Sequence, residues 1–367
     1  MNIFSAFLKI AAGLMLIVIP PFKQTSDWQG KVEIKDGTPW IQNPREPIYG
    51  GTVLALEAPL RIGEYIGKDE FMFQDIGCIE ADDQERVYVS DWKESRIKIF
   101  DKNGVYLKTI GQRGQGPGEF ERINRLQIID DKRLVVFDGN LKRLSIFSLG
   151  GDFEKSIPVQ KMSPLDLCLI SDGMFLVQTV QLDPVLAKAD SAIKLYDRDL
   201  KMMKILATHK PQDVFTPFQS HLVWAVFQNG DIVIGRNEKY SFSLYDSRGD
   251  VMKTITKDSR PIPIPDEEKK IELKRLQQPY SKDVPAFYPA YRSMTIDGNR
   301  RIMVQTWERP NKGDGFLYDV FDSEGKFMAR MVLKNSPRLW KRNRMYAIEE
   351  NEDGLPVVVR YTVAWKN

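Results

Sequence analysis

The feature that most constrains the fold is a short motif that returns along the chain: a hydrophobic residue, any residue, an aliphatic one, an aromatic one and usually aspartate. Its copies are Ile97-Lys98-Ile99-Phe100-Asp101, Leu144-Ser145-Ile146-Phe147-Ser148, Ile193-Lys194-Leu195-Tyr196-Asp197, Phe242-Ser243-Leu244-Tyr245-Asp246 and Tyr318-Asp319-Val320-Phe321-Asp322. Alternation with a period of two marks half-buried strands rather than helices. Glycine turns follow most copies, as at Gly104, Gly249 and Gly325, so each motif opens a β-hairpin. Upstream of each lies a second hairpin, with turns at Asp82-Asp83, Asp130-Asp131, Ser171-Asp172-Gly173, Asn229-Gly230, Asp297-Gly298 and Asp353-Gly354. Two hairpins make a four-stranded unit.

The aromatic anchors Phe100, Phe147, Tyr196 and Tyr245 are separated by 47, 49 and 49 residues, the period of a β-propeller blade. The next step, to Phe321, is 76 residues, so a segment from about Arg260 to Phe287 is inserted. The last hairpin, Met345 to Ile348 and Val357 to Val363, lacks its outer pair. Val53–Leu56 and Leu60–Ile66 have strand character and no partner of their own, and are assigned as the outer strands of that blade. The expectation is an all-β, six-bladed β-propeller closed by N-terminal strands that complete the last blade, which removes the open edges of a row of sheets.

Three segments follow from this reading. Residues 1–22 form a signal peptide or N-terminal anchor, because Lys9 precedes the apolar run Ile10–Ile19, shorter than a membrane span of ~20 residues, and Pro20 and Pro21 end it. Residues 23–49 are an N-terminal extension, and residues 50–367 are the propeller. The expected location is extracytoplasmic: periplasmic, secreted, or anchored facing outward. A membrane is expected as a partner only through the first segment, if that is retained.

Composition excludes several chemistries. The 53 Lys and Arg nearly balance the 50 Asp and Glu, so no global field points to nucleic acid, and none is expected as a partner. His209 and His221 are too few for a three-histidine zinc site. Cys78 and Cys168 occupy equivalent positions in non-adjacent blades, too far apart for a disulfide. Gly-x-Ser-x-Gly, His-Glu-x-x-His and Cys-x-x-Cys are all absent.

The first unit resembles the NHL-type and TolB-like six-bladed propellers of bacteria. The resemblance is carried by Val87-Tyr88-Val89-Ser90-Asp91, Arg96 to Asp101, Gly104, and the link Ile110-Gly111-Gln112-Arg113-Gly114-Gln115-Gly116-Pro117-Gly118-Glu119-Phe120. The chain is also similar to exported bacterial propeller proteins that open with Trp28-Gln29-Gly30 and Asn43-Pro44-Arg45-Glu46-Pro47 and close with Asp353-Gly354-Leu355-Pro356-Val357-Val358. The likeness spans roughly residues 28 to 366, although blades three to five lack the Asp-x4-Arg spacing and the glycine-rich link. It implies the fold and leaves the function open, since one fold hosts many activities.

Several motifs have a bland reading beside a functional one. Asp91 with Arg96, and Asp138 with Arg143, are expected to form charge-assisted bonds that pin a loop; ligand recognition is the alternative. The run Gly111 to Gly118 lacks the Lys-Ser/Thr ending of a phosphate cradle and reads as a link between blades. Arg338 to Arg344, with Trp340, reads as a solvated inter-blade loop.

The insertion opens with Pro261, Pro263 and Pro265 and continues as a charged helix from Asp266 to Gln278. It is expected to share a face with Trp92, Tyr288, Tyr291, Trp307 and Arg309, the candidate binding residues for a peptide, glycan or protein partner. The plainer reading is that the two tyrosines start a strand and Trp307 packs on the insertion. No cofactor is expected on the binding reading. The rival reading is a calcium-dependent hydrolase like the lactonase propellers, with Glu80, Asp166 or Glu349 as channel ligands. A third is a sensor tethered by an uncleaved N-terminus.

Overall fold

A computed structural model of the chain describes residues 27–51, 53–63, 67–170, 173–183, 188–210, 217–275, 284–310 and 313–365. The targeting segment, the Ser171-Asp172 turn and the end of the insertion's helix lie outside these residues.

The chain opens with β1 (Lys31–Lys35), β2 (Thr38–Asn43) and β3 (Leu54–Ile62). Blade one is then β4 (Ile76–Ala81), β5 (Val87–Asp91), β6 (Arg96–Phe100) and β7 (Tyr106–Ile110). Blade two is β8 (Ile123–Ile129), β9 (Arg133–Asp138), β10 (Arg143–Ser148) and β11 (Phe153–Pro158). Blade three is β12 (Pro164–Leu169), β13 (Phe175–Asp183), β14 (Lys188–Tyr196) and β15 (Met202–His209). Blade four is β16 (Leu222–Val226), β17 (Ile232–Arg236), β18 (Ser241–Tyr245) and β19 (Val251–Lys257), followed by helix α1 (Asp266–Arg275). Blade five is β20 (Ser293–Ile296), β21 (Ile302–Gln305), β22 (Phe316–Phe321) and β23 (Phe327–Leu333). The last strands are β24 (Pro337–Lys341), β25 (Arg344–Glu350) and β26 (Pro356–Trp365).

Each blade has four antiparallel strands that run from an inner strand at the channel to an outer one, and the sixth is ordered β24-β25-β26-β3. The ring is therefore closed by the N-terminal strand, with Val358 opposite Ile62 and Trp365 opposite Leu54. Among the described residues six apolar clusters, one at each contact between neighbouring blades, replace a single core. The cluster of Ile62, Phe73, Phe100, Tyr346 and Val358 joins blade six to blade one, as a ring requires and a linear stack forbids.

Two expectations are corrected here. The closing segment is one strand, not two, because the Asp353-Gly354 hairpin is the middle pair of its blade, β25 and β26. The inner strand is the basic run read as a solvated loop: β24 pairs with β25, and Trp340 is buried against Met331 and Met345.

The repeated aspartate has a local cause. In Asp101, Asp197, Asp246 and Asp322 one carboxylate oxygen accepts the amides two and four residues on, at 2.8–3.0 Å. A short acceptor thus closes each tight turn, a job Asn351 repeats in the last blade. The aromatic before it fills the gap between blades, with Phe100 and Phe321 fully buried.

The N-terminal extension is itself built into the ring. β2 adds in parallel to the outer edge of β19, with β1 beyond it, making a six-stranded blade four. Asn43 is buried and bridges blades: its amide donates to the carbonyls of Thr256 and Gly325, and its oxygen accepts from Phe327 N and Trp28 Nε1. Tyr49 N then bonds Met328 O at 2.8 Å on blade five before β3 reaches blade six.

Candidate functional site

The loops joining second to third strands and the links between blades share one face, and side chains fix that face from below. Asp138, almost fully buried, accepts the backbone amides of Glu121, Arg122, Asn140 and Leu141 at 2.7, 3.2, 3.0 and 2.9 Å. Asp91 does the same for Gln74, Lys93 and Glu94. The expected Asp–Arg pairing is thus corrected in its partners: Arg143 donates to the carbonyls of Gln115, Gly116 and Glu119 at 2.7–2.8 Å, and Arg96 pairs with Glu94. A buried carboxylate surrounded by amides needs no cation, and the freed guanidinium clamps the glycine-rich link.

That link is folded on itself. Gly111 has φ +77°, and a Cβ there would lie 2.2 Å from the Phe120 ring, so only glycine fits. The Gly116 amide is taken by the Glu119 carboxylate at 2.8 Å, which leaves no amide cradle for phosphate. The blade-link reading of this run therefore describes its geometry.

The insertion packs beside blade five. Its legs pair with each other, Ile264 N to Ala286 O at 3.0 Å and Tyr288 N to Ile262 O at 2.9 Å, and Ile264 is buried beneath. Tyr288 stacks on Trp307 at 4.2 Å and 9°, with Phe218 edge-on to both and the Arg292 guanidinium 4.4 Å over Trp307. Glu268, on α1, accepts from the Tyr288 hydroxyl and pairs with Arg309, the contacts that hold an otherwise solvated helix. Burial and the Glu268 carboxylate together push the Tyr288 phenol up to about 12.

Of the five candidates, Tyr288, Trp307 and Arg309 are brought together through Glu268 and the aromatic stack. Tyr291 is corrected: it is fully buried, its hydroxyl bonds Ser241 O, and it fills the space left by Gly235, so it belongs to the core. Trp92 stays on the same face but over blades one and two, lying against Gly77, with Nε1 on Ile123 O at 2.6 Å. The sequence reading missed Phe218 and Arg292, whose positions depend on which links meet in space.

The inner strands start at this face and line the channel. Arg122, Arg292 and Arg338 stand at the starts of β8, β20 and β24; all three are exposed, and no carboxylate among the described residues pairs with them. Arg292 and Arg338 start the inner strands of two neighbouring blades, five and six. Register shifts interrupt β4, β8, β12 and β24 near these starts; in β12 and β24 the residue left without a partner is Leu165 or Arg338, both exposed.

Deeper in the channel Arg125 binds Asp166 through Nε at 3.0 Å and Nη2 at 2.5 Å, and its guanidinium lies 4.9 Å over Trp224. Trp224 Nε1 in turn donates to Gln178 at 2.9 Å. Both Asp166 oxygens are therefore engaged. Glu349 accepts from Arg61, Asn335 and Tyr361. Burial pushes the Glu80 carboxyl upward, toward its neutral form. These three carboxylates sit on separate strands, and among the described residues no three acidic, histidine or cysteine groups gather. They do not fit a calcium cage, which needs several free oxygens around one point.

Comparison with known proteins places this geometry. No curated protein matches the sequence. Among solved structures, a Bacteroides fragilis protein whose export is predicted is 12% identical, with 89% of this chain and 100% of that chain covered and a TM-score of 0.60. A member of the DUF4221 family from Bacteroides vulgatus is 14% identical, over 85% of this chain and 99% of that one, with a TM-score of 0.53. At such identity these likenesses bear on the fold alone. A family model described as a 6-bladed beta-propeller, DUF5128, matches residues 62–264, more than half of the 367 residues. The chain belongs to the DUF5128 family of six-bladed β-propellers.

Proposed function

We propose that this propeller is a non-enzymatic binding or scaffold protein that works outside the cytoplasm and holds a peptide, glycan or protein partner on the face described above. The observation that carries the reading is the set of arginines at one mouth of the channel, Arg122, Arg292 and Arg338, exposed and without carboxylate partners among the described residues. A guanidinium left unpaired beside aromatic rings favours a partner with carboxylate, sulfate or phosphate groups. The apolar N-terminal run and the fold likeness to a protein with predicted export support the location. The aspartate-closed turns fit the NHL-type and TolB-like character read from the first blade.

The test is an array of acidic glycans and peptides screened with the wild type and with the double variant Arg292→Ala/Arg338→Ala. The variant should lose binding and keep its circular dichroism spectrum and melting temperature. Deleting Pro261 to Gln278 should likewise weaken binding without unfolding the ring. Full binding by both variants refutes the assignment of this face. Binding on this reading requires no metal, so calcium or a chelator should leave the melting curve unmoved.

A further inference from the structure

The outer rim carries a second feature that ligand binding at the channel does not use. A β-propeller ends each blade in an edge strand, whose free amides and carbonyls invite pairing with other chains. All six outer strands of the blades carry a register shift against their inner neighbour, at Ile99/Phe100, Ile146/Phe147, Ile193/Lys194, Leu244/Tyr245, Val320/Phe321 and Arg360/Thr362. Such bulges twist an edge away from flat pairing.

The edge created by β1 differs. β1 pairs with β2 without any shift, from Lys31 opposite Gln42 to Lys35 opposite Thr38. Because a two-residue turn, Asp36-Gly37, joins them, Lys35 and Thr38 form the hydrogen-bonded pair that closes the hairpin. Glu33 and Lys31 then bond inward too, so Val32 and Ile34 present their backbone groups to the side where no strand of the described residues pairs. The side chains of Val32 and Ile34 are 54% and 67% exposed.

The charges of β1 select its partner. Lys31, Glu33 and Lys35 lie along one face of the strand, where within one copy Glu33 binds Lys31 and Gln42 and lies 3.7 Å from Lys35. An approaching strand must therefore offer charges that exchange with this pattern. A second copy meets that condition. When two β1 strands run antiparallel with Val32 on the two-fold axis, Lys31 of each copy faces Glu33 of the other; with Ile34 on the axis, Glu33 faces Lys35. The register centred on Glu33 sets like charges opposite each other and is disfavoured.

We infer that the propeller forms a two-fold dimer by antiparallel pairing of β1 strands, joining the two six-stranded fourth blades into one continuous sheet. Two five-residue strands bury less than the roughly 1,200–2,000 Å² of standard stable interfaces, so the dimer is weak, with a micromolar dissociation constant.

Sedimentation of the full chain from micromolar to submillimolar concentration is the test. The wild type should move from monomer to dimer mass, and Val32→Lys/Ile34→Lys should stay monomeric with an unchanged circular dichroism spectrum. Glu33→Lys alone and Lys31→Glu/Lys35→Glu alone should each be monomeric, and their mixture should form the dimer again. In oxidising buffer, Val32→Cys or Ile34→Cys should cross-link, according to which residue sits on the axis. A wild type that remains monomeric throughout overturns the inference, as does a lysine double variant that still dimerises or a charge-swapped mixture that does not pair. Since all chains share one N-terminal segment, self-association through that segment would persist in every variant and is thereby distinguished.

Discussion

Replacing Asp138 by alanine should be among the costliest single changes on the face that carries the insertion, and the cost can be worked from its contacts. The carboxylate accepts four backbone amides and is almost completely buried. Asn140 lies at the exposed tip of its loop, so water recovers the amides of Asn140 and Leu141 once the carboxylate is gone. The amides of Glu121 and Arg122, which lie between the buried Phe120 and Ile123, lose their partner. A fully buried donor left unpaired costs about 1–3 kcal/mol, and because these two bonds are part-buried the pair together costs about 1–3 kcal/mol. Asp138→Asn keeps one acceptor oxygen and should fall between the wild type and Asp138→Ala. Asp152→Ala is the control in the same blade: its side chain is 80% exposed beside Lys108, and the change should stay within about 0.5 kcal/mol. Urea titration followed by tryptophan fluorescence reads these differences as shifts in midpoint at constant slope. Because the Arg122 backbone hangs on the same carboxylate, Asp138→Ala should also weaken binding of any anionic ligand. An Asp138→Ala curve that overlays the wild type, or one matched by Asp152→Ala, would refute the reasoning.

Further expectations concern titration and motion. Burial holds the phenols of Tyr346 and Tyr361 up at about 12, with the Glu349 carboxylate adding to the effect on Tyr361. Their unfolded counterparts ionise near pH 10, so stability should be intact below that and fall as pH rises from about 10 to 12; absorbance at the phenolate band should lag free tyrosine and rise with unfolding. Burial pushes the Cys168 thiol to about 12 and the Cys78 thiol upward, so neither should react with a thiol reagent in the native protein at pH 8, and both should react in denaturant. Glu268→Gln should release α1, which buries no residue of its own, and raise amide exchange across Asp266–Arg275 while the blades stay protected.

The blades were legible because their signal is local. Period-two strands, aromatic anchors and aspartate turns each act within a few residues, and the spacing of 49 between Phe147 and Tyr196 converts them into a count. The closing blade was half legible. Its hairpin at Asp353-Gly354 uses the same turn chemistry as the others, so nothing local distinguishes a middle pair from an inner one, and β24 hid behind its arginines. Asp91 and Asp138 were read as ion-pair partners because sequence spacing records which residues face each other across a loop, not which amides surround a carboxylate. The aromatic stack lay beyond reach in part: Phe218 comes from the link before blade four, Tyr288 from the insertion and Trp307 from a loop of blade five, and only the packing of blade four on blade five makes them neighbours.

The path of the N-terminal segment sets the order in which the molecule can be finished. It runs around the rim as a belt, buckled to β19 of blade four, to β23 of blade five through Tyr49, and to β26 of blade six. All three anchoring strands are made after it, β26 last of all. A ribosome or an export channel that releases the chain from its beginning therefore delivers the strap long before anything exists to fasten it to. Assembly can start with blades one to three, whose strands follow one another, but the circle locks only once β26 has emerged. A chain that stops before Pro356 loses β26, and with it the last hole of the belt.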